Sequence, residues 1–199
     1  MSQIPNWNMS GVIPPIRPGV AGSHPDRSPY QVSLYDFFDR FAITVDRISI
    51  LEGLLRYRAD WRAAGVTRGF QWLDGSFSEN VEDLEERSPN DIDVVTFFYL
   101  PEGHDQESFF PLILHLIDTD SCKGRYSVDG YPSQLGGVLD EASVTSTAYW
   151  YSMWSHRRTG LWKGFVQVDI DDFVDERCAD LLAQRRVALA AANLVDNVA

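Results

Sequence analysis

Between Ser33 and Ala64, apolar residues recur at steps of three and four: Phe41, Val45, Ile48, Leu51 and Leu55, with Leu54, Tyr57 and Trp61 widening the stripe. That period predicts amphipathic helix. A break near Ala42-Ile43-Thr44 divides it into two helices, and Gly65 is a C′ residue that stops the second. Arg56, Arg58 and Arg62 are expected as solvated charges on the outer face. The period then changes. Phe70 to Leu73 is a short apolar strand that ends abruptly at Asp74-Gly75-Ser76, and a short helix or acidic loop follows. Asp91-Ile92-Asp93 then runs into Val94 to Tyr99, which is apolar on both sides and so predicts a strand covered on both faces. Gln106 to Ile117 predicts a helix whose start is limited by Pro111. Lys123 to Tyr131 predicts a strand, Pro132 to Gly137 a loop, and Asp140 to Arg158 an aromatic helix. Leu161 to Ile170 predicts the last strand, with a terminal helix from Phe173 onward. Elements in this order predict an α+β (α/β-like) fold, a small mixed sheet with helices packed on it.

Residues 1–30 contain Pro5, Pro14, Pro15, Pro18, Pro25 and Pro29. They are expected to form an extended arm over a single domain of residues 31–199, docked through apolar phrases such as Val12-Ile13-Pro14-Pro15-Ile16. The 199 residues, 44% of them hydrophobic, exclude intrinsic disorder and suffice for one core. No apolar run reaches the roughly 20 residues of a membrane span, and the N-terminus lacks the pattern of a secretory signal. A cytoplasmic protein is therefore expected. Cys122 and Cys178 lack metal-ligand spacing and are expected as reduced thiols, with one disulfide left open. The net charge of −12 argues against non-specific binding to nucleic acid or anionic lipid. It leaves room for a nucleotide, because bound cations can reverse the field within one cleft.

The candidate chemistry lies between Gly69 and Tyr99. Alternate strand residues share a face, which places Asp91 and Asp93 together with Cα atoms roughly 6.6–6.8 Å apart. Paired carboxylates suit divalent metal ions, and a Gly-Ser turn leading into a helix suits phosphate. Taken singly, Gly75-Ser76 also reads as a plain turn, and Pro89-Asn90-Asp91 as turn chemistry.

An apolar strand ending in Gly75-Ser76, followed by Asp91-Ile92-Asp93 opening a second strand, resembles the nucleotidyltransferase superfamily of the DNA polymerase beta type over residues 69–131. More narrowly, the chain resembles a family of small bacterial proteins with the signature GFQWLDGSF…NDIDVV. The fourteen positions between Ser76 and Asp91 exceed the superfamily's usual gap. The resemblance implies that Gly75 and Ser76 hold the phosphates of a nucleoside triphosphate such as ATP. It implies that Asp91 and Asp93 ligate Mg²⁺ (or Mn²⁺), with two ions about 3.5–4 Å apart activating an acceptor hydroxyl and stabilising the leaving pyrophosphate. It implies a third carboxylate on a neighbouring strand, for which Asp129 is the first choice and Asp118 and Asp120 rank lower; Asp129-Gly130 equally reads as a hairpin turn. Arg157 and Lys163 are candidate triphosphate contacts, although cations near a helix C-terminus also serve simply as dipole partners. Trp150 and Trp154 read either as base-stacking or as core residues. The acceptor is a hydroxyl of a protein, an RNA end or a small molecule. Relatives of this fold operate in toxin–antitoxin or phage-defence pairs, which adds a protein partner to the expectations. The alternatives are a catalytically silent binding protein of the same fold and a metal-dependent phosphohydrolase.

Overall fold

The computed structural model describes residues 3–196; residues 1–2 and 197–199, at the ends of the predicted arm and terminal helix, lie outside the described residues. The arm is docked as expected. Val12 and Ile13 are buried, the Gly164 N–H donates to Ile13 O at 2.6 Å, and the Trp7 ring packs on Phe41. It leads into strand β1 (Tyr30–Gln31).

Helices α1 (Leu34–Phe41) and α2 (Val45–Ala63) come next, divided at the expected break. Each has its own N-cap: Ser33 accepts from the Asp36 N–H, and Thr44 accepts from the Arg47 N–H. The positive φ of Gly65 (93°) lets the chain leave α2 and turn toward the sheet. Strand β2 (Gly69–Asp74) ends in a 3₁₀ turn (Ser76–Ser78) and the five-residue helix α3 (Val81–Glu85). Strand β3 (Ile92–Tyr99) lies beyond them in the chain.

The segment 106–117, expected as one helix, is broken into α4 (Gln106–Phe109), a 3₁₀ turn (Phe110–Ile113) and α5 (Leu114–Ile117). Pro111 has no N–H to donate and crowds the preceding turn, which interrupts the helix. The segment 123–131 also differs from expectation. Its first half belongs to helix α6 (Thr119–Tyr126), started by Asp118, whose side chain accepts from the Ser121 N–H. Ser127 then takes a left-handed turn, and strand β4 (Val128–Leu135) runs on through residues expected to be loop. Pro132 is tolerated inside β4 because this strand is the edge of the sheet, where half of the backbone groups need no strand partner. Helix α7 (Glu141–Trp154), strand β5 (Val166–Asp169) and helix α8 (Asp175–Asp196) complete the chain.

The sheet order is β1-β5-β2-β3-β4, with β2 antiparallel to both β3 and β5, and β4 parallel to β3. The result is the expected α+β arrangement. One face carries Leu73, Val94, Phe98, Val166 and Val168 into the main core with α1, α2 and α8. The other carries Trp72, Val95 and Phe97 into a smaller aromatic layer with Phe165 and Trp154 of α7.

Of the three arginines expected on the solvated face of α2, Arg56 is exposed, whereas Arg58 and Arg62 depart from it. Arg58 is buried, and its guanidinium donates to Gln71 Oε1 at 2.5 Å and to the carbonyls of Asp169 (2.8 Å) and Ile170 (3.3 Å). It ties α2 to β2 and β5, with burial lowering its pKa to about 10. Arg62 is partly buried and pairs with Asp175. Each head finds acceptors on another element, although Arg58 Nε and one Arg62 amino nitrogen stay without a partner. Gly53 explains how α2 lies so close: a Cβ there would sit 1.8 Å from Tyr126 O. Cys122 and Cys178 are free, buried thiols. Among the described residues no helix is long and apolar enough to cross a membrane.

Candidate active site

Strand register builds the site. Antiparallel pairing sets Asp74 of β2 opposite Asp93 of β3, and parallel pairing sets Asp93 opposite Asp129 of β4. Directly paired residues point to the same face, so these aspartates form one row across adjacent strands spaced about 4.8 Å apart. Asp91 precedes Asp93 by two residues and joins the same face. The row lies at the end of the aromatic face, beyond Trp72, Val95 and Tyr131.

Asp93 is in the middle. Burial pushes its carboxyl up to about 7, and the like charges of Asp74, Asp91 and Asp129 push in the same direction. Asp74 is fully enclosed, and burial raises it to about 6 despite the opposing pull of Lys163 and a hydrogen bond from Ser78 Oγ at 2.9 Å.

Gly75 brings the backbone against this row. Its φ of +81° belongs to the left-handed region, and an added Cβ would lie 2.0 Å from Asp93 Oδ2. The turn expected to receive phosphate therefore touches the central carboxylate of the row. The short helix expected after this turn is α3, but it starts only at Val81; Ser76 itself opens a 3₁₀ turn, so no helix N-terminus stands at Gly75-Ser76.

Basic side chains reach the row from both sides. Lys163 Nζ is buried 3.0 Å from Asp74 Oδ2, 2.8 Å from Glu79 Oε1 and 3.2 Å from Gly75 O. Arg157 lies one carboxylate further out, with its Nε 2.9 Å from Glu79 Oε2 and a second pairing to Glu85. From α6, Lys123 Nζ lies 3.1 Å from Asp91 Oδ2 and 2.9 Å from Asp129 Oδ2. These contacts, the one to Asp129 foremost, hold its ammonium more firmly protonated than usual.

Asp91, Asp93, Asp129 and Gly75 thus come together, with Ser76 half-buried at the head of the turn. Lys163 touches the cluster directly and Arg157 joins it through Glu79. Asp118 is used as the α6 cap, and Asp120 is exposed on that helix. Trp154 is core against Phe165, whereas Trp150 stands half-buried on Tyr131 with ring centroids 4.8 Å apart. Sequence reasoning misses Asp74, Glu79 and Lys123. The signal for Asp74 is its alternation with Trp72, which puts both on one face of β2.

The donors fit a hard divalent cation such as Mg²⁺, being carboxylates without thiol or imidazole. Asp129 Oδ1 is buried without a hydrogen-bond partner, so this carboxylate keeps an unsatisfied acceptor. Among the described residues no three His, Cys, Asp or Glu side chains stand already arranged as a metal cage. Asp74, Asp91 and Asp129 are instead engaged by lysine ammoniums.

Residues 5–169 match a protein family described as a family of unknown function (DUF6932). No curated protein and no solved structure matches the chain.

Proposed function

We propose that this chain, which belongs to the family of unknown function DUF6932, is a nucleotidyltransferase that uses Mg²⁺ to move a nucleoside monophosphate from a nucleoside triphosphate to a hydroxyl. The observation that carries this reading is the Asp74-Asp93-Asp129 row, flanked by Asp91, in contact with the Gly75 turn. Asp91, Asp93 and Asp129 would hold the cation. Bound there, Mg²⁺ would supply Lewis-acid stabilisation of the polyphosphate and make the acceptor hydroxyl more acidic.

The chain's own residues do the rest. Gly75 offers backbone without a side chain, so phosphate oxygens can approach beside Asp93. Lys163 binds Asp74, Glu79 and Gly75 O at once, which fixes that turn relative to the row. Asp93, raised toward neutrality by burial and its acidic neighbours, is the carboxyl whose ionised form a bound cation would favour most. Trp150, at the rim on Tyr131, offers an aromatic edge to a base.

The test is incubation with Mg²⁺ and each α-labelled nucleoside triphosphate, with protein, RNA and small-molecule acceptors. Label transfer with pyrophosphate release is expected, lost in Asp91→Ala and Asp93→Ala while the fold persists. Full activity in both variants would refute the assigned site.

A second reading, a silent binding protein, draws on the apolar surface of and beside α7: Val138, Leu139, Val144, Tyr149, Met153 and Trp162 are all exposed. Tight partner binding that ignores both substitutions, with no turnover, would favour it.

A further inference from the structure

The two lysines at the row are held in very different ways. The Lys163 side chain is 5% exposed and its partners Asp74 and Glu79 are as deeply enclosed, so its ammonium is a fixed part of the fold. The Lys123 side chain is 43% exposed, and it reaches inward from α6 to Asp129, whose side chain is only 11% exposed. It comes from solvent and can return there.

Lys123 also sits between Asp91 and Asp129, bridging one oxygen of each. An ammonium is a compact point charge with three donors on a flexible stem, well suited to occupy a seat that a small cation would otherwise take. The partner it leaves unmet is the buried Asp129 Oδ1. One cationic head on that carboxylate therefore leaves an unsatisfied acceptor, which a hard cation with several coordination positions could use.

We propose that Lys123 is a tethered placeholder cation, which competes with a divalent metal ion for Asp91 and Asp129 and is drawn away by the polyphosphate of an incoming nucleotide. This rests on the reading of the row as a metal and nucleotide site, and it adds a coupling between the two ligands. Without nucleotide, the metal must displace a group kept at high local concentration by its own backbone. With nucleotide, the released ammonium gains a phosphate partner. Metal and nucleotide then bind each more tightly in the presence of the other, as linkage requires.

Mn²⁺ binding, monitored by the paramagnetic resonance signal of the free ion, tests this on the full chain. Wild type, Lys123→Met and Lys123→Arg are compared alone and with α,β-methylene analogues of ATP, GTP, CTP and UTP. Lys123→Met is expected to bind Mn²⁺ roughly tenfold more tightly than wild type without nucleotide, the scale of one charge-assisted contact pair. An analogue that binds should narrow that gap, and Lys123→Arg, which keeps a cation, should behave like wild type. Lys123→Gln, which keeps a polar head, repeats the comparison if the methionine variant proves unstable. Equal Mn²⁺ affinity in wild type and the uncharged variants overturns the placeholder and leaves the metal site standing. No Mn²⁺ binding by any of them, with or without nucleotide, overturns the site itself.

Discussion

Asp93→Asn should make the metal-free protein more stable while abolishing the proposed label transfer. Taking the carboxyl from its ordinary 3.8 to about 7 means that the fold disfavours the ionised form. At 1.36 kcal/mol per tenfold change, the full difference is about 4 kcal/mol. Residual hydration of this half-buried side chain reduces the expected gain to about 2 kcal/mol. Asparagine keeps the shape, fits the same space beside Gly75, and relieves Asp74, Asp91 and Asp129 of a like charge. The sign comes from linkage. A carboxyl raised in the folded state carries no penalty below its unfolded value. The penalty grows as pH rises through the folded value, so wild type loses stability relative to the variant between about pH 4 and pH 7. Urea denaturation in EDTA at pH 4 and pH 8 measures this. Near-equal stability at pH 4 and a variant midpoint corresponding to about 2 kcal/mol more at pH 8 are expected, or some 4–8 °C in a thermal scan. A variant no more stable than wild type at pH 8 would refute the crowding of charge on which the site is argued.

Gly75→Ala should cost about 1–3 kcal/mol of stability by urea denaturation and abolish label transfer, because it meets both a positive φ and the Asp93 carboxylate. Lys163→Met should cost about 3 kcal/mol by stranding Asp74 and Glu79 without their buried cation. Adding Asp74→Asn should restore part of that loss in a double-mutant cycle, and strict additivity would show that the pair is uncoupled.

Much of this can be read from local pattern. The helical period over residues 33–64, the break before Thr44 and the parity of Asp91 and Asp93 are properties of short windows, and the structure obeys them. Asp74 is different: its alternation with Trp72 gives a face, but only the β2–β3 register sets it opposite Asp93. The strand holding Asp129 is legible, yet its limits are not. Asp118 can cap a helix only if the chain turns there, and Pro132 is acceptable in a strand only at an edge, which depends on sheet order. Lys123 therefore reads, from sequence, as part of the strand that it approaches from a neighbouring helix. Arg58 shows the same limit, since a charge in a helical stripe reads as solvated until acceptors from β2 and β5 are placed over it.

The position of the row reflects the unequal faces of the sheet. The main core covers one face with α1, α2 and α8, and it includes no member of the row. The other face has a smaller aromatic layer, and the aspartates occupy its end. Repulsion there is thus set against packing that lies elsewhere, so charges can be crowded without opening the core. Lys163 offsets part of it permanently, at Asp74 and Glu79; Lys123 offsets another part through a contact open to solvent, at Asp91 and Asp129. Asp93 touches neither ammonium at salt-bridge distance and retains the largest upward shift of the row, to about 7. The unmet electrostatic demand is therefore concentrated on the side chain that also contacts the Gly75 turn, where an added cation would relieve repulsion and attract phosphate together.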